Sequence, residues 1–280
     1  MKKNMNKNKI SFNFKHGTVA GIHVNVGKDA PLIIITNGHN GFYNYGMFPY
    51  IQEKLADKKI SSYSYNFSHG GVVGDGDYFE QIDLYEKNCM RLETEDLCEV
   101  IRNISNTDLK YNSKLFLLSH SLGSIPTIFG AAKLIGEGFK IDGIILVAPT
   151  KTLDFWSPEQ MKEWEEKGVL MLRNNRTNQN LPQGREFLEE TKQANTVWNL
   201  ENVIRSVNTK FIIIHGEKDE AIPIEEAKAI NDWNINNKTP SELIMIPEAT
   251  HTFNTKHPFT GTSFQLDSMI DEIVKWVKKN

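Results

Sequence analysis

Apolar residues fall along this chain in two kinds of pattern. Ile10 to Phe14 and Val19 to Val26 alternate apolar and polar positions on either side of a Lys-His-Gly turn. Alternation puts one face of a strand in water, so this pair predicts an antiparallel hairpin. Leu32 to Ile35, Leu115 to Leu118, Ile144 to Val147 and Phe211 to Ile214 are instead nearly continuous apolar runs. Strands read this way when both faces are buried, as in a parallel sheet covered by helices. Weaker runs at Tyr63 to Phe67 and Leu243 to Ile246 bring the expected total to about eight strands.

The segments between these runs carry helical spacing. Leu266, Met269, Ile270, Ile273, Val274 and Val277 define one helical face near the C-terminus. Leu97, Val100, Ile101 and Ile104 make a similar stripe, and Ile125 to Ile135 is compatible with a helix. Strands alternating with helices predict an α/β fold with a mostly parallel sheet and helices on both faces. Lys151 to Leu200 breaks the alternation. It is polar, with scattered aromatics (Phe155, Trp156, Trp164, Trp198) and a loop-like run from Arg173 to Gln179. It leaves after one buried run and returns before the next, so residues 151–200 are expected to form a cap within a single domain spanning 1–280.

Composition narrows the function classes. The chain has 280 residues, 39% hydrophobic and 24% charged, with a formal net charge of -3, within the ordinary globular range. Acidic and basic residues are interspersed without a basic block, which argues against nucleic acid as a partner. The Lys- and Asn-rich start, Met1 to Lys9, reads as a solvated, frayed terminus. Cys89 and Cys98 cannot build a disulfide framework and match no zinc spacing, so both are expected as small buried residues. No apolar segment has the length of a membrane span or the place of a signal h-region, so a cytoplasmic protein without membrane contact is expected.

Candidate chemistry sits at the ends of the buried runs. Ser119-His120-Ser121-Leu122-Gly123 follows Leu115 to Leu118 and precedes a helical segment. A strand turning sharply into a helix around a central serine is a nucleophile elbow, and the crowded turn needs small residues two positions either side. Ser119 and Gly123 meet that need, making Ser121 the candidate nucleophile. Phe211 to Ile214 runs into His215-Gly216-Glu217-Lys218-Asp219-Glu220. A carboxylate there projects into the crevice where open α/β sheets bind ligands. Asp219 is the candidate acid, with Glu217 and Glu220 competing on spacing. Downstream, His251 is the candidate base and His257 its rival. Nucleophile, acid and base then stand in the chain order of a hydrolytic triad. The loop Thr36-Asn37-Gly38-His39-Asn40-Gly41-Phe42 follows the first buried run, and its glycines permit close approach to a substrate oxygen. Backbone N–H groups of His39 and Leu122 are the candidate oxyanion donors.

These stretches resemble the α/β-hydrolase superfamily over nearly the whole chain. Asn37 to Phe42, followed by Gly46-Met47-Phe48-Pro49-Tyr50, resembles the oxyanion loop of bacterial feruloyl/cinnamoyl-esterase-like and dienelactone-hydrolase-like enzymes. Tyr65 to Gly71, His215 to Asp219 and Glu248 to Phe253 resemble further motifs of that group. The departures are Asn37 for His, His39 for Phe, Ser119 for Gly and Glu248 for Gly. The resemblance implies a cofactor- and metal-free serine hydrolase acting on a small acyl substrate through an acyl-enzyme. Gly38, Trp156 and Trp164 are the expected substrate contacts, and Arg173 or Arg176 could meet a substrate carboxylate. Carboxylic esters are the leading substrate class, beside peptides, thioesters and lactones; a non-catalytic binder on the same fold is the reading from another class. Gly70, Gly71, Gly74 and Gly76 do not form a dinucleotide fingerprint.

Overall fold

The computed structural model describes residues 6–104, 111, 113–234 and 241–280. The chain opens with β1 (Asn6–Phe14) and β2 (Gly17–Asn25), then β3 (Leu32–Thr36), α1 (Phe48–Asp57) and β4 (Ser61–Asn66). A short α2 (Ile82–Glu86), α3 (Met90–Asn103), β5 (Leu115–His120), α4 (Ser124–Gly136) and β6 (Gly143–Val147) follow. Between β6 and α7 (Leu200–Ser206) lies an insertion with α5 (Pro158–Lys167), β7 (Leu170–Asn174), β8 (Gln179–Gln183) and α6 (Arg185–Lys192). The remaining elements are β9 (Phe211–Gly216), α8 (Ile224–Asn234), β10 (Glu242–Ile246) and α9 (Phe264–Lys279).

One 8-stranded sheet runs in the order β1-β2-β4-β3-β5-β6-β9-β10. β1 and β2, and β2 and β4, pair antiparallel; every other neighbouring pair is parallel. The continuous apolar runs have a simple cause. Leu32 and Ile34 of β3 face one hydrophobic cluster while Ile33 and Ile35 face the other. β5, β6 and β9 divide the same way, with Leu117, Leu146 and Ile213 on one side and Leu118, Val147 and Ile214 on the opposite side. α3, α4, α7 and part of the insertion cover the first face, and α1 and α9 cover the second. With water excluded from both faces, the central positions of these strands are apolar, and polar residues (Thr36, Ser119, His120, His215) come only at their C-terminal ends.

The frayed start is corrected for Asn6 to Lys9, which pair with Asn25 to Ile22 as part of β1. Met1 to Met5 lie outside the described residues. Cys89 and Cys98 are buried free thiols, and burial pushes them up to about 12 and about 11.

The insertion departs most from expectation. The stretch read as a loop from Arg173 to Gln179 is the turn of an antiparallel hairpin, β7 with β8, in the register Asn174 with Gln179. Local signals set its other elements. Ser157 and Gln160 form a capping box at the start of α5, Pro158 occupies its first turn, and Gly168 ends it in the left-handed conformation. The insertion is tied to the segment between β4 and α3. Gln179 both donates to and accepts from the backbone of Phe79, at 2.8 and 3.0 Å. Glu190 accepts the first N–H groups of α3, from Met90 at 2.6 Å and Arg91 at 3.0 Å. No helix among the described residues is long and apolar enough to cross a membrane.

Candidate active site

The candidate residues stand at the C-terminal ends of parallel strands. β5 ends at His120, and Ser121 follows with φ of 55°, a left-handed backbone that costs a residue bearing a Cβ roughly 1–2 kcal/mol. The turn is tight because two backbones meet there. A Cβ on Gly123 would lie 2.4 Å from the Asn37 carbonyl, and one on Gly38 would lie 2.9 Å from the Ser121 Cβ. Glycine at 123 is therefore a steric requirement, and Gly38 lets the β3 loop rest against the elbow. The same Gly38 position lies 3.5 Å from the Leu122 nitrogen, which brings the 37–41 loop beside the first N–H after the serine. Asn37 fixes that loop by donating to the Tyr65 carbonyl of β4 at 2.9 Å. Ser119 is fully buried, and its hydroxyl has no hydrogen-bond partner among the described residues.

Asp219 leaves the turn after β9 with its side chain almost wholly buried. Its Oδ1 accepts the N–H groups of Ala221 at 2.9 Å and Ile222 at 2.8 Å. Its Oδ2 accepts from Nδ1 of His251 at 2.8 Å. Burial works to raise the Asp219 pKa, but the imidazole and the two backbone donors outweigh it and hold the group below its ordinary value. With Nδ1 protonated toward Asp219, Nε2 of His251 is the basic nitrogen. Glu217 is exposed. Glu220 accepts the backbone N–H of His251 at 3.2 Å, so it holds the loop after β10. His257 lies elsewhere: Nδ1 accepts the Gly46 N–H at 3.1 Å and the ring stacks on Tyr45.

Ser121 and His251 line one small cavity with Gly38, His39, Gly41, Tyr45, Phe48, His120, Arg176 and Thr252; its free volume is about 30 Å³. His120 carries a role the motif alone does not show. Its Nε2–H donates to the His251 carbonyl at 3.0 Å, and burial together with the neighbouring His251 ring lowers its pKa to about 3. It is thus a neutral strut under the loop that carries His251. The His39 imidazole donates to Gln183 of β8 at 2.9 Å, and burial lowers its pKa against that hydrogen bond. Its ring lies 6.3 Å from Trp156, which is half-buried.

Trp164 is corrected from a pocket position to a core one. It is fully buried, packs on Trp156 and Phe187, and donates its Nε1–H to the Gly184 carbonyl at 3.2 Å. Trp156 is likewise outside the cavity lining, while Arg176 is part of it. Arg173 turns away and bonds to Asn178 and Asn180 within its own hairpin. Among the described residues no cluster of His, Cys, Asp or Glu is arranged to hold a metal ion.

The sheet order, the elbow after β5 and the loops after β3, β9 and β10 together define an α/β-hydrolase fold. No family model and no curated protein sequence matches the chain. Solved structures do. The ferulic acid-bound form of Est1E from Butyrivibrio proteoclasticus superimposes with a TM-score of 0.71 at 16% identity, covering 96% of this chain and 98% of that one. The α/β hydrolase domain-containing protein 10 from mouse gives 0.70 at 17% identity, covering 97% and 99%. The dienelactone hydrolase from Anabaena variabilis gives 0.65 at 12% identity, covering 99% of each chain. Similarity at this level establishes the shared fold; chemistry has to be argued from the site.

Proposed function

We propose that the protein is a serine hydrolase that cleaves a carboxylic ester of a small acyl substrate through an acyl-enzyme. The observation that carries this reading is the 2.8 Å contact between His251 Nδ1 and a buried Asp219, on a ring that shares its cavity with Ser121 on a strained elbow. An esterase domain from Rhodothermus marinus and a dienelactone hydrolase on the same fold support it.

In the acylation step Nε2 of His251 takes the Ser121 proton as Oγ adds to the substrate carbonyl. The developing oxyanion receives the N–H groups of Leu122 and His39, each such donor contributing roughly 10² to 10³ in rate. Collapse breaks the ester C–O bond, and Nε2–H delivers its proton to the departing alkoxide. Water then loses a proton to Nε2 and adds to the acyl carbon; collapse frees the acid and returns the proton to Ser121. Asp219 keeps the ring oriented and stabilises the imidazolium in both steps. Gly38 and His39 face the acyl group, and the insertion spanning 151–200 acts as the cap over it.

The test is mass-spectrometric mapping of a fluorophosphonate adduct beside hydrolysis of short-chain p-nitrophenyl esters. An adduct on Ser121 with ester turnover is expected. An adduct on another serine, or none on folded protein, overturns the assignment. An adduct without ester turnover redirects the substrate class to peptides.

A further inference from the structure

Arg176 sits at the tip of the β7–β8 hairpin, far in sequence from the other residues that line the Ser121 cavity. Its position is set by the backbone. The buried Asn174 accepts the N–H of Arg176 at 3.0 Å and that of Thr177 at 3.3 Å, which closes the turn and aims residue 176 at the sheet. The guanidinium then lies over the Tyr45 ring, 5.1 Å from its centroid. Tyr45 is in turn stacked on His257 at 4.8 Å, so the platform beneath the cation is itself packed.

What the guanidinium lacks is an anion. Arg91, Arg102 and Arg205 are each paired with glutamates. Arg173 bonds to side chain and backbone within the hairpin. Arg176 makes no side-chain hydrogen bond or ion pair to any of the described residues, and no carboxylate lines the cavity. Stacking on Tyr45 occupies the face of the guanidinium and leaves its edge donors free. The cavity is thus lined by one guanidinium and no carboxylate. The Arg176 charge already contributes to lowering His120, after burial and the His251 ring, and His257, after burial. A bound carboxylate would offset that contribution.

Resting on the serine-hydrolase reading above, we propose that the substrate carries a carboxylate and that Arg176 binds it at the mouth of the cavity, making Arg176 the specificity-determining residue of the site. A guanidinium edge matches the two oxygens of a carboxylate, which gives orientation as well as attraction.

The test uses a pair of fluorophosphonates that differ only at the tail, one ending in a methyl group and one in a carboxylate. The readout is the ratio of their rates of Ser121 labelling within each variant. In the native protein the carboxylate probe should react faster by about tenfold or more, the scale of one charged hydrogen bond. The ratio should shrink with added salt, because Arg176 is exposed enough to be screened. Arg176→Ala should bring it to about one; Arg176→Lys, which keeps the charge and loses the fork, should fall between. Arg173→Ala should leave it unchanged. A native ratio near one, or a ratio that survives in Arg176→Ala, overturns the proposal. Failure of both probes to label Ser121 is a different result, and removes the hydrolase reading together with this one.

Discussion

The strand ends that carry the site and the insertion that carries Arg176 obey opposite local rules. At the strand ends, left-handed backbone is imposed on residues that bear a Cβ: Ser121 at φ 55°, Ala148 at 46°, Glu248 at 55° and Phe253 at 52°. In the insertion the same conformation falls on residues suited to it, Gly168 at 72° and Asn178 at 59°. Left-handed backbone at Cβ-bearing residues therefore gathers after β5, β6 and β10, where the chain turns sharply beside Ser121 and His251. It is held there by a core with two buried faces. The insertion has no such demand. Its caps and turns follow ordinary local preference, and its contribution to the site comes from where it is docked. Three experiments bear on this contrast.

The largest effect should come from the acid. Asp219→Asn keeps the shape of the turn but replaces the acceptor for His251 Nδ1–H by an amide, favouring the wrong ring tautomer. Turnover should fall by about 10⁴ with the fold intact, by analogy with the same change in a serine protease. Glu217→Gln, an exposed neighbour two residues earlier, should change turnover little. Ester kinetics beside circular dichroism checks both. Equal losses in the two variants would mean that the turn after β9 is not read through one carboxylate.

The insertion should respond in the opposite currency. Trp164→Ala removes a fully buried ring packed on Trp156 and Phe187 and deletes a hydrogen bond to Gly184. The expected cost is about 3–5 kcal/mol. The bonds of Gln179 to Phe79 and of Glu190 to the start of α3 join the insertion to the rest of the chain. That loss should therefore appear as an earlier urea midpoint of one transition. An early, separate transition would instead show that the insertion unfolds by itself, and the contrast would become one between two stability units.

The same contrast explains what could be read from residues alone. β3, β5, β6 and β9 were legible because burial on both faces makes a continuous apolar run of four residues in each. Ser121 and Gly123 were legible because an elbow restricts residue size at fixed spacing. Asp219 was not separable from Glu217 and Glu220 in that way. The choice depends on which side chain the turn directs inward, where Ala221 and Ile222 hold its carboxylate. The β7–β8 hairpin was hidden because Leu170-Met171-Leu172 is a run too short to tell strand from helix, and Pro182 sits within its partner. The reach of Arg176 to the cavity follows from how that hairpin docks, and the core position of Trp164 from its packing on Trp156 and Phe187. His120 was hidden for another reason: its partner is the backbone of His251, and a carbonyl leaves no trace in side-chain chemistry.

Glu248 offers the smallest effect and the most direct measure of strain at the strand ends. It follows β10 with φ of 55°, three residues before His251. Its side chain is exposed; its contact with Lys218 at 4.0 Å is a surface pair that contributes little. Its carbonyl, which accepts from Asn254 at 3.1 Å, is untouched by substitution. Glu248→Gly relieves roughly 1–2 kcal/mol of left-handed backbone cost. It gives back about 0.5–1 kcal/mol in chain entropy. A net gain between about zero and about 1.5 kcal/mol should raise the melting temperature by up to roughly 5 °C. The reciprocal change in the insertion, Gly168→Ala at φ 72°, should lower it by a similar amount, since there the suitable residue is already in place. If Glu248→Gly destabilised the protein instead, the left-handed turn after β10 would not be a stored cost, and strain at the strand ends could not be what separates them from the insertion.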